Sequence, residues 1–337
     1  SVTAYAAEEE LEFEGEVLVD GIDYDVKSDH VVLLDCQDSV KGEVIIPDTI
    51  KGRPVTVIRE NAFESCSSLE KIELPQSVKE IGDNAFLWCT SLKEVVIPDG
   101  VEKIGESLFY EDTALEKVTI PYIGTSPDDN TTDLDHLFFG HLQGYQMLDP
   151  ETNEVVYDRN TDEKYLKSEE GIFIPKSFTN LIVTNTEKIP DNAFYGIVSL
   201  KSITLPDNVK SIGGSAFGDC ESLVDIHIPD TVTEIGGNAF IKCKSLKTIN
   251  IPAGLTKLSY GIFGACESLD IKDFKIPDKI TYIGDSAFSG CKSMNFGSLV
   301  IPESVTYIGS RAFKGCDGLT EISFPSSFGK YDRTEGI

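Results

Sequence analysis

One short pattern, I-G-x-x-A-F, returns along this chain at nearly constant spacing, and it limits the fold more than any other feature. A unit of two dozen residues is too small to bury an apolar face alone, so copies must stack. Complete copies end at Phe86, Phe217, Phe240, Phe288 and Phe313, and degenerate copies at Phe63, Phe109, Phe194 and Phe263. Phe63, Phe86 and Phe109 are 23 residues apart, as are Phe194, Phe217, Phe240 and Phe263, and the last two steps are 25. Cysteine follows three residues later at Cys66, Cys89, Cys220, Cys243, Cys266, Cys291 and Cys316, with Asp112 and Ile197 in the other two places.

Beyond the cysteine lies L-x-x-I-x-I-P, as in Leu69, Ile72, Leu74 and Pro75, or Leu246, Ile249, Ile251 and Pro252. This alternation is a short strand with one buried face, ended by a proline that has no N–H to donate. Strands of successive turns pair in parallel at about 4.8 Å. Ile72, Val95 and Val118 are expected to form one buried ladder, and Leu74, Ile97 and Ile120 the next. Gly82 and its equivalents suit a bend of positive φ, and each Ala-Phe pair sends a ring into the opposite wall. The two extra residues of the longer copies fall between Leu269 and Phe274 and between Met294 and Leu299, in an outer turn where insertions cost little.

The period lies within the leucine-rich-repeat range, and the repeat resembles that of the BspA-like, or Treponema pallidum-type, leucine-rich repeat family of bacterial secreted and surface proteins. The match covers roughly residues 44 to 121 and 178 to 325. The resemblance implies a curved right-handed solenoid, secretion or surface display and, in some relatives, attachment to host matrix proteins or other bacteria; it implies no active site. The expected fold is therefore a β-rich leucine-rich-repeat solenoid of stacked 23–25-residue turns with a parallel β-sheet, an N-terminal β cap and one enlarged irregular excursion.

The chain divides accordingly. Residues 1–10, with Ala4-Tyr5-Ala6-Ala7, read as a signal-peptide remnant. Residues 11–62 form the cap, with an Asp20-Gly21 hairpin turn and Val44-Ile45-Ile46-Pro47 as the first repeat-like strand. Repeats occupy 63–121 and 178–325, and 326–337 are a polar tail. The period is lost over 122–177, which carries Phe138-Phe139 and Val155-Val156-Tyr157 and is too apolar for a linker. Phe178 to Val183 re-enters as a strand, with Ile189-Pro190 where Ile-Gly usually stands.

The formal net charge of −28 argues against nucleic acid and anionic membranes, which select clustered Lys and Arg. No apolar run approaches the length of a membrane helix. Eight cysteines in an exported protein ordinarily suggest disulfides, but seven share one position per turn, where adjacent side chains point the same way. All eight are expected as free thiols, Cys36 standing outside the column.

Gly284-Asp285-Ser286-Ala287 resembles a protease nucleophile region but is the repeat consensus, and only His30, His136, His141 and His227 could serve a triad. Asp133, Asp135, His136 and His141 read as loop polarity around Leu137 rather than metal ligands. Asp158, Asn160, Asp162 and Glu169 match positions 1, 3, 5 and 12 of a calcium loop, but Glu163 replaces its glycine. The outward strand positions (Lys71, Glu73, Glu94, Val96, Lys117, Thr119) form no aromatic platform, and Trp88 reads as wall packing. No catalytic, cofactor or metal site is assigned. The expected function is that of a non-catalytic extracellular or cell-surface binding protein, monomeric, recognising a host matrix protein or bacterial surface polysaccharide through 122–177 and the adjoining strand face. A hydrolase using carboxylates of that excursion is the alternative.

Overall fold

The computed structural model describes residues 14–129, 134–138, 165–167, 173–270, 275–294 and 298–330. The chain divides into two compact units, one of Ser1–Val118 with Asp135–Phe178, the other of Thr119–Leu134 with Thr179–Ile337. Each is a β-solenoid, and each regular turn contributes a leading strand on the L-x-x-I-x-I segment and a second, two-residue strand on x-I before the glycine.

In the first unit the cap is an antiparallel meander of Gly15–Val19, Ile22–Val26 and Val31–Cys36. Asp20 and Gly21 have φ of 50° and 82°, the left-handed pair that a two-residue hairpin turn needs. The third cap strand then runs parallel to Arg53–Ile58, which begins the column of second strands and pairs with Glu80–Ile81. The cap thus converts antiparallel pairing into the parallel rungs of the solenoid. Gly42–Ile45 pairs in parallel with Leu69–Glu73, placing Val44 beside Ile72 as the first repeat-like rung. Ile72 lies beside Val95, and Ile72, Val95 and Val118 are all buried, as expected for one ladder.

The Phe column fills the core opposite the leading strands. Phe63 and Phe86 stack with centroids 5.4 Å apart, and Phe86 and Phe109 at 5.8 Å. The next ring is Phe138, 5.9 Å from Phe109 and 5.2 Å from Phe178. Phe109 N–H donates to the Leu137 carbonyl just as Phe86 N–H donates to Leu108. The helical turn Asp135–Phe138 is therefore a further Phe unit within the segment expected to be irregular. In the second unit Phe217 and Phe240 stack at 5.0 Å, and Phe288 and Phe313 at 5.4 Å. Asn180–Val183 pairs with Ser202–Thr204 and confirms the re-entry strand.

Two local expectations need correction. The glycine of I-G-x-x-A-F does not adopt positive φ. It is required because a Cβ on Gly82 would lie 2.4 Å from the Glu60 backbone nitrogen, and one on Gly236 equally close to that of Gly214. The left-handed residue comes two positions later, at Asn84, Ser215, Asn238, Ser286 and Arg311, with φ of 52° to 57°. A second left-handed residue follows the Phe by two, as at Asp219 and Lys242.

Not all the cysteines are free. Cys36 and Cys66 form a disulfide, with Cα atoms 6.7 Å apart. Cys36 ends a cap strand instead of following a Phe, so the common direction of the column does not govern its side chain. The other six are buried thiols. Each lies 3.0–3.1 Å from a Phe carbonyl of the preceding turn, as Cys243 does from Phe217 and Cys266 from Phe240. The position calls for a small apolar group that can also donate weakly. Burial holds these thiols protonated, raising Cys266 to about 12 and Cys316 to about 11.

Candidate functional site

Once the ladders are filled, what remains to act is the outward side of each turn. On the leading strands of the first unit this side is charged and largely self-paired. Lys117 reaches Glu94 at 2.6 Å, Lys93 reaches Glu70 at 2.8 Å and Lys71 reaches Glu73 at 2.9 Å. On the second strands Lys103 pairs with Glu80 at 2.6 Å. These pairs link neighbouring turns or positions, and exposed pairs of this kind contribute little stability.

The outward side changes character near the end of the second unit. Apart from Trp88, the exposed Phe, Tyr and Trp rings among the described side chains are Tyr260, Tyr282, Tyr307 and Phe324. Lys257–Leu258, Tyr282–Ile283 and Tyr307–Ile308 form a parallel sheet in which Lys257, Tyr282 and Tyr307 share one column. Leu258 and Ile283 point inward, so alternation turns the tyrosines out. Tyr282 and Tyr307 stack with centroids 4.6 Å apart and planes within 5° of parallel, which is the strand spacing itself.

Tyr260 is oriented differently. It occupies the first x of I-G-x-x-A-F, where the preceding turn has Gly237. A Cβ on Gly237 would lie 2.2 Å from Cε1, 2.5 Å from Cζ and 2.7 Å from Cδ1 of the ring. Three consecutive ring carbons so close to one point place the ring face-on over the glycine. Tyr260 remains 59% exposed, so its second face is turned to solvent.

Exposed Thr256, Thr281 and Thr306 border this surface. Thr281 Oγ1 donates to the Thr256 carbonyl at 3.3 Å and Thr306 Oγ1 to that of Thr281 at 3.1 Å. Their oxygens keep lone pairs to accept further bonds. The charge also differs here: residues 251–316 hold seven Lys and Arg against six Asp and Glu, a net of +1 in a chain of −28.

The residues that could carry chemistry fall elsewhere. Asp133, His141, Asp158, Asn160, Asp162, Glu163 and Glu169 lie outside the described residues, and Asp135 is described in its backbone alone. His136 is buried beside the Phe column. Among the described residues no three His, Cys, Asp or Glu are grouped to hold a metal ion. Asp285 accepts the Ser310 N–H at 2.9 Å, as Asp191 accepts that of Gly214 at 2.6 Å. The resemblance to a nucleophile region is thus a turn-to-turn bracket. Trp88 is 37% exposed at a left-handed position rather than packed into the wall. Of the apolar side chains described within the excursion, Tyr122, Ile123, Leu134, Leu137, Phe138 and Ile174 are buried. The tyrosine column was missed because outward positions were read on leading strands only, although Thr281-Tyr282-Ile283-Gly284 and Thr306-Tyr307-Ile308-Gly309 repeat the signal plainly.

Parallel rungs, a Phe column and a leucine strand in every turn define a leucine-rich-repeat β-solenoid protein. Residues 42–133, 169–295 and 292–334 match the family model described as BspA type leucine rich repeat region (6 copies). The chain belongs to that family. Similar solved structures include a leucine-rich cell surface protein of Faecalibacterium prausnitzii, 22% identical over 92% of this chain and 94% of that one with a TM-score of 0.36. Another is a leucine-rich repeat protein of Bacteroides ovatus, 22% identical over 92% and 89% with a TM-score of 0.42. The leucine-rich repeat protein of T. pallidum is 21% identical over 90% of each chain, with a TM-score of 0.30. No curated protein matches the sequence. No helix among the described residues is long and apolar enough to cross a membrane.

Proposed function

We propose that the protein is a non-catalytic binding protein, displayed outside the cell or at its surface, that recognises an extracellular protein or polysaccharide as a monomer. The observation that carries this reading is the collection of Tyr260, Tyr282 and Tyr307 on one outward stretch of a repeat that elsewhere exposes mostly charge. Aromatic rings with a polar tip supply contact area at low entropic cost and are enriched at interfaces. Family membership supports the same reading, since a repeated face offers extent rather than one polarised pocket. Surface display is in keeping with the similar Faecalibacterium structure, which is that of a leucine-rich cell surface protein.

The test is a solid-phase screen of the intact protein against extracellular matrix proteins and bacterial surface polysaccharides, with the same polymers assayed for cleavage. Saturable binding without release of reducing ends or peptides is expected. Turnover of any of them would replace this reading with the hydrolase alternative.

A further inference from the structure

Resting on that reading, we propose that Tyr260, Tyr282 and Tyr307, with Lys257, form a binding surface for an uncharged polysaccharide. An aromatic face is electrically negative and its edge positive. The axial C–H groups of a pyranose are weakly positive and give each face of the sugar an apolar patch, while its equatorial hydroxyls ring the edge. Such a ligand needs a ring face that is open, and hydrogen-bonding groups beside it.

Tyr260 supplies the first. Gly237 lets the ring lie flat on the preceding turn, so one face is backed by main chain and the other meets solvent. Tyr282 and Tyr307 use their facing sides on each other. Both rings remain partly exposed on the outward column, and Tyr307 lies on the terminal strand of its three-stranded sheet. Lys257, the register neighbour of Tyr282, adds a donor three residues from Tyr260 on the same turn. The exposed threonines add acceptors.

Charge selects the class of ligand. Residues 251–316 are balanced at +1, so the other residues carry −29. A polyanion would be repelled by nearly all of the remaining chain, and a polycation would be drawn to the acidic turns instead of this one. A neutral polymer loses nothing at a balanced surface, and successive sugars can follow the column from turn to turn. A protein partner would seek anchors seated in pockets, whereas Tyr260 lies flat.

The experiment measures binding of the full chain to laminarin, mannan, xylan and dextran, with polygalacturonate as the charged comparison, at low and high salt. The expected result is saturable binding of at least one neutral polymer, changing less than threefold with salt. Tyr260→Ser and the double variant Tyr282→Ser/Tyr307→Ser introduce residues that the repeat carries at those positions in Ser310 and Ser211. Each is expected to weaken binding at least tenfold at unchanged melting temperature, while Tyr260→Trp retains it and Trp88→Ser leaves it unaltered. In the unmodified protein, bound polymer should shield the three tyrosines from iodination, read by peptide mapping. No neutral polymer bound, binding of polygalacturonate alone, or serine variants within twofold of wild type would overturn the proposal. Binding of a matrix protein in the absence of these would leave the broader reading standing and remove this one.

Discussion

Asp112 shows how strictly one residue position is specified. It stands where seven other turns carry cysteine, and its side chain is fully buried. Burial holds its carboxyl well above the usual carboxylate range; the backbone at Cys89 offsets part of this, and Glu111 adds to it. Cys89, raised chiefly by burial, is the neighbouring titratable group in the column. The folded state therefore keeps a proton that the unfolded chain releases above about pH 4. Stability from this site is full below that value and falls as pH rises toward the folded pKa, by about 1.4 kcal/mol per pH unit. Asp112→Cys should raise stability at pH 7 by about 1–3 kcal/mol and flatten the loss that begins above about pH 4, read in urea titrations. An equal slope in both proteins would contradict this account. At the same scale, denaturation without reductant should expose six reactive thiols, and reduction two more, by Ellman titration. Eight without reductant would mean that Cys36 and Cys66 are not joined.

Within a turn, the elements were legible wherever a residue type has a single physical reason. Alternation located the leading strands, and Pro75 and Pro98 marked their ends. The glycine was found but misread, because a crowded backbone and a left-handed bend both select glycine. Only neighbouring turns distinguish them. Gly236→Ala should consequently cost about 2 kcal/mol or more through overpacking, whereas Ser215→Gly, at φ 52°, should be neutral or stabilising by up to about 1 kcal/mol. Thermal melts of the two variants check this, and the reverse order would restore the bend reading. Phe240→Ala, removing a ring stacked on both sides, should cost about 3–5 kcal/mol. The Phe138 unit escaped notice because Ala-Phe had become Leu-Phe, although Leu108-Phe109 had already made that exchange.

Across the whole molecule, sequence periodicity specified the solenoid class well but said little about where a partner would sit. A repeat advertises what its turns share, and a binding surface is made where they differ. Recognition was expected in 122–177, most of which lies outside the described residues; of the side chains described there, Leu137 and Phe138 are buried. Within the regular turns, the residues that differ are tyrosine at an outward position and tyrosine opposite a glycine. Recognition on this tyrosine surface is tested by hydrogen exchange of the intact protein, with and without a saturating macromolecule from the binding screen. Slowed exchange is predicted over 256–261, 281–286 and 306–311; slowing confined to 122–177 or to the turns before Phe109 would contradict it.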